Sequence, residues 1–262
     1  MSTTILMYHE VTDQQESPDS ILIPSPDYCL PLNKFAEQIA YLYEQGYKGI
    51  SPDDLLEPNR REANECLITF DDGYIGNYLH AAPLLARYGY SGVIFVAAKW
   101  IGYSERWMAW SHLRELADRG YAIESHTWSH SALEELTDKE IFFELAESKS
   151  VIENEIGKAV RFISLPYGSY RENIFALAAA AGYSGIFISN AHQSISGRLP
   201  ATFERIAIKE GYSLQTFRDL VANDKWLMMR RRLGQETKDF IKKTIGIQRY
   251  RRLYRRAKGM KF

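Results

Sequence analysis

The sequence predicts an α/β protein, a (β/α) barrel of seven or eight parallel strands followed by a basic C-terminal helical tail. Short apolar segments rich in β-forming residues alternate with longer amphipathic segments, which is typical of parallel strands with helices packed outside. The connections are short, and 262 residues suit a single α/β barrel. Polar residues gather after the strands, which favours a barrel, although a doubly wound sheet would share the pattern.

Eight apolar segments are predicted to form the strands. In chain order they are Ile5–Tyr8, Tyr47–Ile50, Cys66–Phe70, Ser91–Ala97, Ala122–Ser125, Phe162–Leu165, Gly185–Ser189 and Arg205–Ile208. Six amphipathic segments are predicted to form helices. They are Lys34–Gln45, Tyr78–Tyr88, Ser111–Arg119, Asp138–Ile156, Tyr170–Ala181 and Leu214–Asn223.

Start and stop signals support several of these elements. Capping-box spacing precedes two helices, and a cap followed by proline indicates a further start. These signals are Thr137 with Glu140, Ser169 with Glu172, and Ser51-Pro52-Asp53. Four helices end at a glycine followed by a tyrosine that opens the next strand, and each glycine is predicted to be left-handed. These pairs are Gly46-Tyr47, Gly89-Tyr90, Gly120-Tyr121 and Gly182-Tyr183. The weakly periodic residues 12–32 are expected to form a loop.

Composition indicates an ordinary soluble protein, with 45% hydrophobic and 25% charged residues. Two cysteines, Cys29 and Cys66, argue against a disulfide framework. The first residues lack the basic and apolar segments of a signal peptide, and no apolar run reaches the length of a membrane span. We therefore expect a cytoplasmic location.

Charge divides the chain into a barrel domain at residues 1–224 and a tail at residues 225–262. The tail has 14 basic and two acidic residues, whereas the barrel has 18 basic and 31 acidic residues. A basic amphipathic helix here could bind an anionic membrane surface, such as the inner membrane face, or pack against the acidic barrel. Nucleic-acid binding is not expected, because there is neither a recognition motif nor a basic body.

Two adjacent carboxylates, Asp71 and Asp72, close the strand Cys66–Phe70. Neighbouring strand residues point to opposite faces, so the two side chains are expected to have different partners. At the carboxyl end of a parallel strand, such a pair lies where α/β folds place their active sites. Taken alone, Asp-Asp-Gly is more typical of a turn than of a catalytic site.

His126 and His130 follow the strand Ala122–Ser125 with the spacing at which two imidazoles can bind one metal ion. The alternative is a pair of hydrogen-bonded histidines without a metal. Since the Asp pair also follows a strand, all four side chains are expected at one face. One carboxylate and two imidazoles leave positions open on a divalent ion, as in catalytic sites. The metal would polarise a carbonyl and acidify water, and the second carboxylate could remove a proton.

Three motifs together resemble the polysaccharide deacetylases, or NodB-homology domains. They are Thr69-Phe70-Asp71-Asp72-Gly73, His126-Thr127-Trp128-Ser129-His130 and Leu165-Pro166-Tyr167-Gly168. The resemblance covers roughly residues 5–210. It implies a distorted (β/α) barrel and metal-dependent removal of acetyl groups from N-acetylated sugars.

The resemblance also implies residue roles. Asp72, His126 and His130 would bind the metal, Asp71 would be the general base, and the Tyr167 N–H would stabilise an oxyanion. Without the other motifs, the segment from Pro166, which is expected to line the substrate site, is typical of an ordinary turn. Zinc, cobalt, nickel and iron all suit this ligand set.

Two features depart from the common family pattern. An arginine usually orients the base, but Ser164 occupies its place and Arg161 is out of register. A late Leu-x-His motif that supplies the general acid is absent. These departures, the opening Met7-Tyr8-His9-Glu10-Val11 and the late strand Arg205–Ile208 resemble the branch that deacetylates poly-N-acetylglucosamine.

Candidates for the missing groups follow from this branch. The resemblance implies that His9 is the general acid, and the alternative is a buried, hydrogen-bonded histidine at a strand end. His192 is the second candidate and is expected to contact the substrate, although it is more typical of an ordinary loop residue. We hypothesise that Arg205 replaces the missing arginine beside Asp71. Tyr74 and Trp128 are expected to stack on sugar rings, whereas Trp110 is expected in the core.

The predicted function is metal-dependent removal of N-acetyl groups from an amino-sugar oligosaccharide, polysaccharide or lipid-linked sugar. Two alternatives use the same scaffold. One is hydrolysis of a formyl group or a cyclic amide, and the other is a carbohydrate-binding module that has lost catalysis.

Overall fold

The computed structural model describes most of the predicted barrel, at residues 3–13, 26–57, 64–168, 170–189 and 200–222. Three predictions fall outside these residues: the tail at 225–262, the histidine His192, and the capping box that begins at Ser169. They stay predictions, as does the division into a barrel domain and a tail.

The described residues contain eleven strands and six α-helices. The strands are β1 (Thr4–Tyr8), β2 (Glu10–Thr12), β3 (Cys29–Pro31), β4 (Lys48–Gly49), β5 (Glu65–Phe70), β6 (Val93–Val96), β7 (Ala122–Ser125), β8 (Phe162–Ser164), β9 (Gly185–Ile188), β10 (Ala201–Glu204) and β11 (Ile206–Ala207). The helices are α1 (Leu32–Glu44), α2 (Ala82–Arg87), α3 (Trp110–Asp118), α4 (Asp138–Ile156), α5 (Ile174–Ala180) and α6 (Leu214–Val221). None of them is long and apolar enough to cross a membrane.

Eight parallel strands form the main sheet in the order β10-β9-β8-β7-β6-β5-β1-β11, and β4 pairs with β5 beside them. The two edge strands, β10 and β11, are separated in the chain by Arg205 alone. The sheet must therefore curl until its edges nearly meet. This arrangement confirms the predicted (β/α) barrel and excludes an open doubly wound sheet.

The two-residue period of the strands separates an inner core from an outer core. In β5, Cys66 and Ile68 pack in the large cluster that includes the helices, whereas Leu67 packs with side chains from other strands. Because alternate residues share a face, Thr69 and Asp71 lie on the same inner face as Leu67. Asp71 therefore stands at the carboxyl end of the barrel interior.

Local signals place several helix ends as predicted. Thr137 accepts the backbone N–H of Glu140, whose carboxylate accepts the backbone N–H of Thr137, and this capping box starts α4. All four glycines of the Gly-Tyr pairs have a positive φ, which lies between 71° and 89°. A residue with a Cβ would be strained there.

Other elements differ from the prediction. Part of the predicted loop 12–32 forms β3, which pairs with β2 as a separate two-stranded sheet. A π-helical turn at Asn77–Ala81 precedes α2, and Ser51-Pro52-Asp53 starts only a short 3-10 turn. The prediction missed β10, which is a half-buried edge strand without an apolar run, and it placed Arg205 inside a strand rather than between two.

Candidate active site

The predicted site residues gather at the carboxyl ends of adjacent strands. Asp71 and Asp72 follow β5, His126 follows β7, and Ser164 ends β8. On the other side of β5, the Asp71 N–H donates to the Tyr8 carbonyl at 3.0 Å, which fixes this end of β5 against β1. The barrel therefore brings the three motifs together at one rim.

Left-handed backbone turns direct the ligand side chains. Asp72 has φ 76°, Thr127 has φ 67° and His130 has φ 61°. Non-glycine residues rarely adopt this conformation, and such strain concentrates at functional sites. With this turn, the Asp72 carboxylate lies against both histidines, whereas the Asp71 carboxylate approaches only His126, with its Oδ2 at 3.9 Å from the His126 Nε2.

One carboxylate and two imidazoles form a candidate metal centre. The Asp72 Oδ1 lies 3.4 Å from the His126 Nε2 and 3.2 Å from the His130 Nε2. All the candidate ligand atoms lie within 4.8 Å of one another. Burial lowers the pKa of both histidines to about 4, so both imidazoles are neutral at neutral pH, the state that binds a metal. Burial raises the pKa of Asp72.

A hydrogen bond sets the orientation of His126. Its Nδ1 lies 2.9 Å from the backbone carbonyl oxygen of Ser164. A carbonyl only accepts, so Nδ1 carries the proton and Nε2 keeps a lone pair on the side of Asp72, where a metal ion would bind. Outer hydrogen bonds of this kind fix metal-ligating histidines in proteins. The donor set, its protonation and its orientation therefore fit a divalent metal ion.

Helix α4 supports the loop that contains both histidines. The Glu144 carboxylate accepts the Ser129 N–H at 2.7 Å and the Ser129 hydroxyl at 2.5 Å. The Glu144 carbonyl accepts the Trp128 N–H at 3.0 Å. Sequence reasoning missed Glu144, because no local signal links it to a loop 15 residues earlier.

Arg205 holds the second carboxylate. Its Nη1 donates to the Asp71 Oδ1 at 2.7 Å and its Nη2 donates to the Asp71 Oδ2 at 2.8 Å. The Ser164 hydroxyl accepts from Arg205 at 2.7 Å and lies 3.2 Å from the Asp71 Oδ2. Burial alone would raise the pKa of Asp71, but the guanidinium outweighs it and lowers that pKa below its usual range. Asp71 is therefore ionised at neutral pH.

Arg205 reaches Asp71 from the place where the barrel closes, between the edge strands β10 and β11. The guanidinium lies over the rings of Phe95 at 5.3 Å and Phe187 at 5.9 Å, and it also donates to the Thr69 hydroxyl at 3.1 Å. Only 4% of Arg205 is exposed. The arginine therefore crosses the barrel interior from the closing strands, and Ser164 is short enough to contact both charged groups.

Three further candidates surround this centre. Tyr167 has φ 60°, and its exposed ring contacts the His130 ring at a centroid distance of 4.8 Å. Pro166, before it, is buried. The His9 ring lies 4.3 Å from the Tyr28 ring, and its buried Nδ1 has no hydrogen-bond partner among the described residues.

The stacking prediction for Tyr74 is wrong in this structure. Its buried ring stacks on Trp107 at a centroid distance of 4.6 Å, so this ring face is not available to a sugar. Trp107 comes 33 residues later in the chain, and the sequence did not indicate the contact. Trp128 and Trp110 are half-buried and pack against the core, as expected for Trp110, and sugar stacking by Trp128 stays a prediction.

Comparisons with known proteins agree with this fold. A family model described as polysaccharide deacetylase matches residues 59–186. The chain is 33% identical over 183 residues to "Putative polysaccharide deacetylase YxkH" of Bacillus subtilis (strain 168). The aligned region covers 68% of this chain and 61% of that protein. It is 28% identical over 112 residues to poly-beta-1,6-N-acetyl-D-glucosamine N-deacetylase of Escherichia coli (strain K12), covering 36% of this chain and 17% of that protein. The chain thus spans less than two thirds of the length of these relatives.

A solved structure shares the fold. The Streptococcus pyogenes deacetylase PplD, in complex with acetate, matches with a TM-score of 0.72 at 23% identity, covering 83% of this chain and 96% of that chain. Residues 59–186 are therefore a polysaccharide deacetylase domain by the family model that they match, and the relatives of the chain carry deacetylase names.

Proposed function

We propose that this protein is a metal-dependent hydrolase that removes N-acetyl groups from amino sugars of an oligosaccharide, polysaccharide or lipid-linked saccharide. The observation that carries the proposal is the division of labour between two adjacent carboxylates. Asp72 faces two neutral imidazoles, whereas Asp71 is held by Arg205. A turn would need neither the imidazoles beside Asp72 nor the guanidinium beside Asp71. A structural ion pair would need only the guanidinium.

Asp72, His126 and His130 would hold the metal. When bound, the ion supplies a Lewis acid for the amide carbonyl and lowers the pKa of a water molecule. Zinc, cobalt, nickel and iron suit one carboxylate and two imidazoles. The Ser164 carbonyl and the Glu144 carboxylate keep the histidine loop in the orientation that this role needs.

Asp71 would accept the proton of the attacking water. Its two carboxylate oxygens are fixed by the guanidinium, so the acceptor is oriented before the substrate arrives. Because Arg205 keeps Asp71 ionised, the acceptor is ready at neutral pH. Positioned bases of this kind contribute about 10²–10⁴-fold to rate.

Tyr167 and His9 would complete the reaction. The left-handed backbone at Tyr167 presents the turn after β8 to the site, and its N–H would donate to the developing oxyanion. His9 would give a proton to the departing amine nitrogen, and no described residue forms a hydrogen bond with its Nδ1. The products would be acetate and a free amino sugar.

Acetate release tests this function. The purified protein is stripped of metal, reloaded with zinc, cobalt, nickel or iron, and incubated with N-acetylglucosamine oligomers. We expect metal-dependent acetate release that is lost in His130→Ala and kept in the control His80→Ala, whose imidazole pairs with Asp13 and not with the candidate metal ligands. Formate release from N-formyl sugars without acetate release would favour the rival hydrolase. Saccharide binding without turnover at any metal would favour the binding module.

A further inference from the structure

We infer that Trp100 and Tyr103 form a second saccharide contact on the rim, which binds a sugar unit next to the one being deacetylated. This inference rests on the proposed function and deepens it, because it makes an extended saccharide the preferred substrate. We call the four rings Tyr74, Trp107, Trp100 and Tyr103 the aromatic strip.

The loop that carries the strip is fixed to both ligand-bearing loops. The Lys99 N–H donates to the Trp128 carbonyl at 2.9 Å, and the Trp100 indole N–H donates to the Ser129 carbonyl at 3.1 Å. At its other end, the Met108 N–H donates to the Gly73 carbonyl at 2.9 Å. The outer rings therefore have a set position relative to Asp72 and the histidines.

The rings follow one another from the site to the surface. Tyr74 lies two residues after Asp72 and stacks on Trp107 at 4.6 Å, with an interplanar angle of 22°. Trp107 lies parallel to Trp100 at 6.2 Å, and Trp100 contacts Tyr103 edge-on at 5.2 Å. Exposure rises along the series, from buried Tyr74 and Trp107 through half-buried Trp100 to Tyr103, which is 65% exposed.

The chemistry of Tyr103 suits a sugar ring. A pyranose has apolar C–H faces and a rim of hydroxyl groups, and tyrosine offers an apolar ring with a hydrogen-bonding tip. A single exposed tyrosine is ordinary on a protein surface. Tyr103 differs because its ring contacts Trp100, whose indole N–H donates to Ser129 between the two candidate metal-binding histidines. A saccharide that extends from the site is the occupant that this position favours.

Binding to the metal-free protein tests the strip separately from catalysis. Calorimetry is run with N-acetylglucosamine monomer and pentamer, in both β-1,4 and β-1,6 linkages. We expect Tyr103→Ala to weaken binding of the pentamer about three- to tenfold and to leave monomer binding unchanged. Tyr103→Phe, which keeps the ring, should retain most of the affinity.

Tyr43→Ala is the matched control. Tyr43 is 59% exposed and lies 5.3 Å from the Tyr88 ring, but it is near the end of α1, away from the rim. Its loss should change neither affinity, and thermal unfolding should confirm that both variants are folded.

Separate outcomes follow for the strip and for the proposed function. Equal pentamer affinities of the wild type and Tyr103→Ala, or a wild type that binds neither saccharide, would overturn the strip. Acetate release with an unaltered affinity in Tyr103→Ala would reject the strip and keep the deacetylase. Weakened pentamer binding without acetate release from any oligomer would keep the strip and reject the deacetylase.

Discussion

Replacing Arg205 with methionine removes the buried partner of Asp71. Arg205 donates four hydrogen bonds, two to Asp71 and one each to Thr69 and Ser164. Asp71 is 2% exposed, so water does not replace the guanidinium. Breaking a buried pair in this way costs about 3–5 kcal/mol, against a typical total stability of about 5–15 kcal/mol. We expect Arg205→Met to fold with that loss of unfolding free energy.

Equilibrium urea unfolding of a double-mutant cycle measures the pair. The cycle compares the wild type, Arg205→Met, Asp71→Asn and the double variant. Because each single change leaves one buried charge alone, the double variant should be less destabilised than the sum of the singles by about 1–3 kcal/mol. The surface control Arg114→Met, which breaks the 3.0 Å pair with Glu155, should cost less than about 1 kcal/mol. Single effects that add to within about 0.5 kcal/mol would refute the coupling.

Two further predictions concern stability and metal binding. The Glu153 carboxylate accepts the Val160 N–H and pairs with Lys149, and these contacts outweigh partial burial and lower its pKa. Its contribution is therefore present above the unfolded pKa of about 4.3 and disappears as pH falls through the folded pKa. Glu153→Gln should cost roughly 0.5–1 kcal/mol in urea unfolding at neutral pH and less in acid, whereas a pH-independent difference would contradict this reasoning. Glu144→Gln weakens the acceptor for Ser129 and should lower metal affinity in calorimetry by about 10–100-fold, and an unchanged affinity would exclude a supporting role.

Strand periodicity predicted much of the site. The apolar segment before Asp71 and Asp72 forms β5, and alternation indicated that the two side chains would have different partners. The ends of parallel strands then brought His126 and His130 to the same rim. These features depend on local pattern and on the parallel sheet, both of which the sequence contains.

Contacts between distant segments were harder to predict. Trp107 covers Tyr74, and Glu144 supports Ser129, because of how loops pack after the barrel has closed. The hypothesis about Arg205 rests on the family pattern, in which an arginine occupies the place of Ser164, and not on a physical argument from the sequence. The physical basis is the closure of the barrel, which places this single residue between two edge strands, and no local pattern marks such a seam.

The most direct test of the roles proposed for the two carboxylates compares metal affinity and acetate release in Asp71→Asn and Asp72→Asn. Circular dichroism confirms that both variants are folded. If Asp72 binds the metal and Asp71 is the base, Asp72→Asn should lower metal affinity by about 10–100-fold or more. Asp71→Asn should keep the metal while acetate release falls by about 10²–10⁴-fold. Normal acetate release by Asp71→Asn, or equal loss of metal from both variants, would contradict the proposed division between the two carboxylates.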